Sequence, residues 1–389
     1  MIKLSKLVEV GFTLSQATDI SIFFRNVGYL TVGETCVKEG TTVPDDKVLV
    51  IDSTDTLNAT LKSDSQEYMD ISKILVQNGN TEPNRGRVNA VILYLATKGE
   101  DEDYGTLVDK FVSVNGNWAQ LVANTTDKDD IKAIATKALD NGRIYIAQTA
   151  DDDVANKTGE NIAKMLKELN NANTIVTYHT TANDNFAAGL AGIMANPNLG
   201  ATGDLYSTVT NVMPEDYTAT VNTNLDDQNV TYYTHVNPIN GGSVNQYASP
   251  IVMGGYMING EDTKRRYIRF YLDYIMKARC IDFLKKKLGY EDISANVLLL
   301  MLKAILRAGQ TNGLIKQDVI RTSGDNTINE LGFKLDTVYP SKLREVDETL
   351  YNAQTYKVYG YYRDSLTGRK VEIELFVDPT DAEKSTLGF

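Results

Sequence analysis

The chain has 389 residues, 42% of them hydrophobic and 23% charged, with a formal net charge of −12. That length can bury a large core in two or three domains without metals or disulfides, and the composition excludes a wholly disordered chain. With 51 acidic against 39 basic residues, the chain lacks the basic face that general nucleic-acid binding requires.

The opening MIKLSKLVEVGF has no 7–15-residue apolar run of the kind a secretory signal carries. LVEVGFTLS (7–15) alternates cleanly: Val8, Val10, Phe12 and Leu14 on one side, Glu9, Gly11, Thr13 and Ser15 on the other. It predicts a strand, and a terminal strand must pair with something to satisfy its backbone. Strands are also predicted at GYLTVGE (28–34) and KVLVIDS (47–53). SDSQEYMDISKILVQN (63–78) predicts a helix capped by Ser65, with Tyr68, Ile71, Ile74 and Leu75 on one face and Gly79 as a stop.

Strands and helices then alternate. RVNAVILYLAT (87–97) predicts a buried strand and 127–142 a helix capped by Thr126 or Asp127 and stopped by Gly142. RIYIAQTA (143–150) predicts a strand, 159–171 a helix with Ile162, Met165, Leu166 and Leu169 on one side, 173–180 a strand, and 183–197 a helix ended by Pro197. This alternation implies βαβ units and a partly parallel sheet. Residues 198–260 are rich in Asn, Thr, Gly and Tyr, with one predicted strand at 230–236.

From 261 the chain turns helical. Tyr267, Phe270, Tyr271, Tyr274, Ile275, Ala278, Ile281 and Leu284 form an apolar face at helical spacing. The stretch 264–287 carries nine Lys/Arg and two Asp, a basic stripe on an acidic body. It reads either as a solvated helix face or as a contact for an acidic partner, another copy included. A second helix is predicted at 292–308, ended by Gly309. Its apolar run VLLLMLKAIL (297–306) falls short of the ~20 residues of a membrane span and is broken by Lys303. The chain closes on a predicted hairpin, 355–363 and 368–377, whose second arm alternates Val371, Ile373, Leu375 and Val377 with polar neighbours.

Motifs for catalysis are missing: no P-loop, dinucleotide fingerprint, nucleophile elbow or HExxH is present. His179 and His235 stand far apart in sequence, and ordinary structural roles outweigh a metal or base pair. Glu100–Asp103 and Asp151–Asp153 could offer oxygens to a hard cation, but they read more simply as solvated loops. Cys36 and Cys280 are too few for a disulfide framework, which points to a reducing compartment. Cys280 beside Arg279 is better read as an inert thiol than a reactive one. The sequence therefore implies no cofactor and no enzyme.

In the order KLVEVGFTLS (6–15), GYLTVGE, SDSQEYMDISKILVQN, IDFLKKKLGYEDISANVLLLMLKAILRAGQTNGLI (281–315) and GRKVEIELFV (368–377), the chain resembles the tail-sheath proteins of contractile bacteriophages. The Asn/Thr-rich middle, 198–260, matches less and reads as a variable insertion. The resemblance implies an α+β, multi-domain chain with mixed sheets, flanking helices and terminal strands that add to sheets of neighbouring subunits. It implies an N-terminal linker arm (1–22), an outer α/β domain (23–205), an inner assembly domain (206–354) and a C-terminal hairpin and arm (355–389). The inter-subunit strands would be carried by Val8, Val10, Phe12 and Leu14 and by Val371, Ile373, Leu375 and Val377.

The same resemblance implies a structural subunit in stacked hexameric rings around a tail tube, whose contraction drives the tube through the host envelope. Its partners would be copies of itself, the tube protein, and baseplate and tail-terminator proteins, with neither nucleic acid nor membrane insertion. Its place would be the virion tail, assembled in the bacterial cytoplasm. Lys264, Arg265, Arg269, Lys285 and Lys286 would then face an acidic tube surface or an acidic patch on the next subunit. Another tail, baseplate or surface-lattice protein is the alternative, and an α/β enzyme with an unrecognised site in 87–200 is a third.

Overall fold

The computed structural model describes residues 20–77, 88–181, 184–195, 205–236, 249–323 and 326–365. Its centre is an eight-stranded sheet of β1 (Asn26–Val32), β2 (Val48–Ile51), β3 (Ala90–Ala96), β4 (Gln120–Ala123), β5 (Ile144–Thr149), β6 (Thr174–Tyr178), β7 (Thr231–Val236) and β8 (Ser249–Met253). The spatial order is β2-β3-β1-β4-β5-β6-β7-β8. The six inner strands run parallel, and β2 and β8 are antiparallel edges. β7 and β8, which lie beyond residue 205, complete the far side of this sheet.

Helices fill the connections. α1 (Ile20–Arg25) leads into β1, and α2 (Thr54–Thr60) and α3 (Gln66–Val76) follow β2. α4 (Tyr104–Val114) joins β3 to β4, and α5 (Lys128–Asp140) joins β4 to β5. α6 (Asp152–Asn156) and α7 (Ile162–Glu168) lie between β5 and β6, and α8 (Phe186–Met194) and α9 (Ala219–Asp227) between β6 and β7. The chain continues through α10 (Thr263–Lys285), α11 (Asp292–Thr311), the antiparallel pair β9 (Val319–Ser323) and β10 (Asn326–Glu330), then β11 (Phe333–Val338), α12 (Pro340–Val346), α13 (Glu348–Asn352) and β12 (Lys357–Tyr362).

The sheet is buried on both faces, as parallel sheets require, and the alternation along each strand sorts residues between two cores. Val91, Leu93 and Leu95 of β3 join α3, α8, α10 and α11 on one side. Ile92, Tyr94 and Ala96 join α4, α5 and α7 on the other. The mixed sheet with flanking helices is the architecture expected from the sequence.

Side-chain caps fix the helix starts. Ser65 accepts from the Tyr68 N–H at 3.2 Å, as its position predicts. Asp127, one of the two expected caps, accepts from the N–H groups of Asp129 and Asp130. The acidic loops end in the same role: Asp103 caps α4 and Asp151 caps α6, each accepting from backbone amides of the first turn. The predicted stop at Gly309 is displaced. α11 passes through Gly309 to Thr311, because Gly309 is buried with Ile315 packed over it. Gly313, at φ 71°, makes the turn instead.

Of the predicted C-terminal hairpin, only the first arm lies within the described residues. Its first arm, β12, pairs antiparallel with β11, from Phe333 opposite Tyr362 to Val338 opposite Lys357. Its second arm and the predicted strand at 7–15 lie outside the described residues.

α3 and α8 meet through glycine. A Cβ on Gly192 would lie 2.5 Å from the Ile74 carbonyl oxygen and 2.7 Å from Gln77 Cγ. Gly192→Ala is therefore expected to lower stability by about 1–3 kcal/mol through overpacking, read as a fall in the urea midpoint. An unchanged midpoint would mean that these helices do not approach so closely.

Candidate assembly surfaces

In open parallel sheets, ligands bind beyond the carboxyl ends of the strands, where strand order reverses. Here that reversal is at β1, between β3 and β4, and α3 fills the position with its own carboxylates. Glu67 accepts from Thr31 Oγ1 at 2.7 Å and from Asn124 Nδ2 at 2.8 Å, tying together the ends of β1 and β4. Asp70 is fully buried and accepts from Tyr29 Oη at 2.6 Å, Asn185 Nδ2 at 2.7 Å and Gln66 Nε2 at 2.7 Å. One turn on, Lys73 pairs with Asp184 at 2.7 Å. Burial pushes the Asp70 carboxyl up to about 6, against the pull of its three donors and Lys73. The arrangement acts as a plug that ties α3 and α8 to the sheet.

A second junction lies at the root of the N-terminal segment. Phe23 and Phe24 of α1 are buried against α10. Phe23 stacks on Tyr274 with ring centroids 4.4 Å apart, and Phe24 meets Phe270 edge-on at 5.1 Å. The buried guanidinium of Arg143 sits 4.9 Å over Phe23 and 5.1 Å over Trp118 and donates to the Gly116 carbonyl at 2.8 Å. Desolvation draws its pKa down to about 10. The chain that precedes Ile20 is thus rooted where α10 meets the sheet.

α10 carries the basic stripe, and the structure separates it into two groups. Near its start, Arg265 pairs with Asp364 at 3.1 Å and Arg269 with Glu261 at 2.6 Å, while burial lowers the pKa of Lys264. Lys285 and Lys286 stand at the far end, exposed beside Lys287, with Lys285 only loosely paired with Asp282 at 4.0 Å. Sixteen residues part Arg269 from Lys285, roughly 24 Å along a helix. Of the predicted apolar face, Tyr267, Phe270 and Tyr274 are buried and Leu284 is exposed. Lys277, within the stripe, is buried with its ammonium 2.8 Å from Asp273.

The other sequence candidates take structural places. His179 is buried, its Nε2 2.9 Å from the Met213 carbonyl, and its Nδ1 accepts from the Thr181 N–H at 3.2 Å. His235 pairs with Asp216 at 3.0 Å. Among the described residues no His, Cys, Asp and Glu cluster could hold a metal ion. Cys36 and Cys280 are free thiols, and burial pushes that of Cys36 up to about 12. No described helix is long and apolar enough to cross a membrane. The eight inter-subunit strand residues, Val8 to Leu14 and Val371 to Val377, lie outside the described residues.

One surface went unread in the sequence. α11 buries Leu298, Leu302, Ile305 and Leu306 but turns Ile293, Val297 and Leu300 to solvent, at 74%, 39% and 57% exposure.

The sequence matches no protein-family model and no curated protein. The fold does find matches among solved structures. A chain in the cryo-EM structure of the anti-feeding prophage (AFP) helical sheath in the contracted state aligns at TM-score 0.61 and 12% identity, over 95% of this chain and 99% of that one. This chain has the fold of a contractile-system sheath protein. A chain in the AFP baseplate structure aligns equally, at TM-score 0.61 and 10% identity, over 95% and 96%. The sheath fold spans nearly the whole chain, so both the eight-stranded sheet and the helical segment after it belong to it.

The Asp70 plug sets a pH dependence. Its carboxyl titrates near 6 in the fold, against an ordinary value of 3.8. Its contribution to stability is therefore full below about pH 4 and is lost as pH rises through 6, a difference of about 3 kcal/mol. Compared with Asp70→Asn, the native chain should gain unfolding midpoint on going from pH 7.5 to 5. Parallel pH profiles for the two proteins would refute the assignment.

Proposed function

We propose that this chain is a structural, non-enzymatic subunit of a contractile sheath, polymerising as stacked hexameric rings around an inner tail tube. The observation that carries this reading is the end-to-end likeness to the AFP helical sheath. The family resemblance of the sequence adds the ends of the chain: an N-terminal arm (1–22) and a C-terminal arm (355–389) that supply strands to neighbours' sheets. Strand addition gives main-chain hydrogen bonds between subunits and tolerates rigid-body motion. A heterologous interface of this kind closes into rings or climbs as a helix.

On this reading the eight-stranded unit, which takes in β7 and β8 from beyond residue 205, faces outward and the helical segment after it lies nearer the tube; the division drawn from the sequence is outer 23–205 and inner 206–354. The extended lattice is metastable, and its relaxation shortens the sheath and drives the tube through the host envelope. Tube, baseplate and tail-terminator proteins are the expected partners, and the assembled location is the tail of a virion or of a related injection particle. Lys264, Arg265, Arg269, Lys285 and Lys286 are proposed contacts to the tube or the next subunit. The ion pairs of Arg265 and Arg269 within the chain leave Lys285 and Lys286 the freer to reach outward. A baseplate-proximal subunit is the second reading, favoured by the equal likeness to the AFP baseplate chain.

Electron microscopy of the purified protein should show hollow striated cylinders. Deleting residues 1–15 or 369–389 should leave a folded chain, unchanged in circular dichroism, that no longer polymerises. Single rings that never stack would favour the baseplate reading. A monomer at every concentration would defeat both.

A further inference from the structure

α11 is apolar on two opposite sides. Its inner stripe packs into the core, while Ile293, Val297 and Leu300 are exposed, and the small exposed residues Ala304 and Ala308 carry the outer stripe to the end of the helix. A helix hydrophobic on all sides normally lies buried, and a contiguous exposed apolar patch marks an interaction site. Exposed Arg307 flanks the stripe, as does half-buried Lys303, and the Lys285–Lys287 run precedes it across a short loop.

Charge selects the partner. Residues 1–262 hold eighteen basic and thirty-four acidic residues, and residues 263–389 hold twenty-one basic and seventeen acidic. A second copy presenting its own basic helical segment would meet like charge. A copy presenting its sheet-bearing part would meet opposite charge.

We propose that the outer face of α11 is an interface between copies of this chain, seated head-to-tail on the acidic sheet-bearing part, residues 20–262, of a second copy. The apolar stripe forms the dry centre and the lysines and Arg307 the salt-sensitive rim. A head-to-tail contact of this kind is heterologous, the geometry that builds rings and helices. The inference rests on the self-assembling reading above and assigns one of its surfaces.

The test uses the full chain with a photo-crosslinking benzoylphenylalanine in place of Val297, mixed equally as light and 15N-labelled protein and irradiated in its assembled form. Light-to-heavy crosslinks should map to residues 20–262. Crosslinks confined to one chain, or running to residues 263–389 of another, would overturn the proposal. In parallel, Leu300→Glu should raise the critical concentration for assembly at least tenfold with an unchanged thermal midpoint. Assembly at the native concentration would count equally against it. The native chain separates the two failures: if it assembles as cylinders while crosslinks fall elsewhere, only this interface is wrong. If it stays monomeric throughout, both readings fall.

Discussion

The rest of the structure depends on the aromatic wedge between the sheet and α10. Phe23 and Phe24 come from a six-residue helix that could not hold itself together in water. They are fixed because Tyr267, Phe270 and Tyr274 receive them from one side and Arg143, itself lying over Trp118, closes one end over Phe23. Burying a Phe contributes about 1.5–3 kcal/mol, and each favourable ring pair adds about 0.5–1.5 kcal/mol. The wedge therefore joins three things at one point: the first sheet strand, the longest described helix, and the root of the N-terminal segment. Under the proposed function, a pull on the N-terminal arm would arrive at the seam between the sheet and α10.

The polar plug at β1 complements this. The place where a doubly wound sheet usually opens to a ligand is occupied by Glu67, Asp70 and the side chains that hold them. Buried polar groups of this kind cost stability unless each is bonded, and here each has its partners. The plug ties α3 and α8 to the sheet, giving a rigid block.

Much of the fold is legible in the sequence wherever period and cap agree. α3, α5, α7 and α8 each carry a capping residue ahead of an apolar face, and β3, β5 and β6 read as buried apolar runs. What escaped is short or mixed. β4 has four residues and no room for a pattern, so α4, which delivers the chain to it, passed unread despite Asp103 ahead of Leu107, Val108 and Phe111. β8 sits in a Tyr- and Asn-rich stretch whose polarity hides its place at the sheet edge. The plug had a signal: Glu67, Asp70 and Lys73 recur every third residue beside Ile71 and Ile74. A polar stripe next to an apolar one is ordinarily read as the solvent side, and only packing shows that α8 covers it. The outer stripe of α11 is hidden by the opposite effect, since a leucine-rich helix reads as core all round.

The pairing of β11 with β12 bears on how such subunits join. Two strands alone make a marginal sheet. This one is held because Phe333, Leu335, Val358 and Tyr362 pack on the core beside α11, while Tyr359 and Tyr361 face outward. Its strands come from 333–338 and 357–362, a pair separated in sequence by α12 and α13, and the second arm of the expected hairpin, 368–377, lies outside the described residues. Among the described residues each of the two strands is paired only to the other. A sheet with a firm inner face suits strand addition: the packing fixes its position before any neighbour arrives, and backbone bonding to an incoming arm then depends little on that arm's side chains. Under the proposed function, the small sheet beside α11 is the natural receiver of the alternating arms, and the apolar stripe on the outer side of α11 gives the same neighbourhood a second, side-chain-based hold. Two contacts of different physical kind at one site allow one to release while the other keeps neighbours linked, which is the condition a contracting lattice must meet.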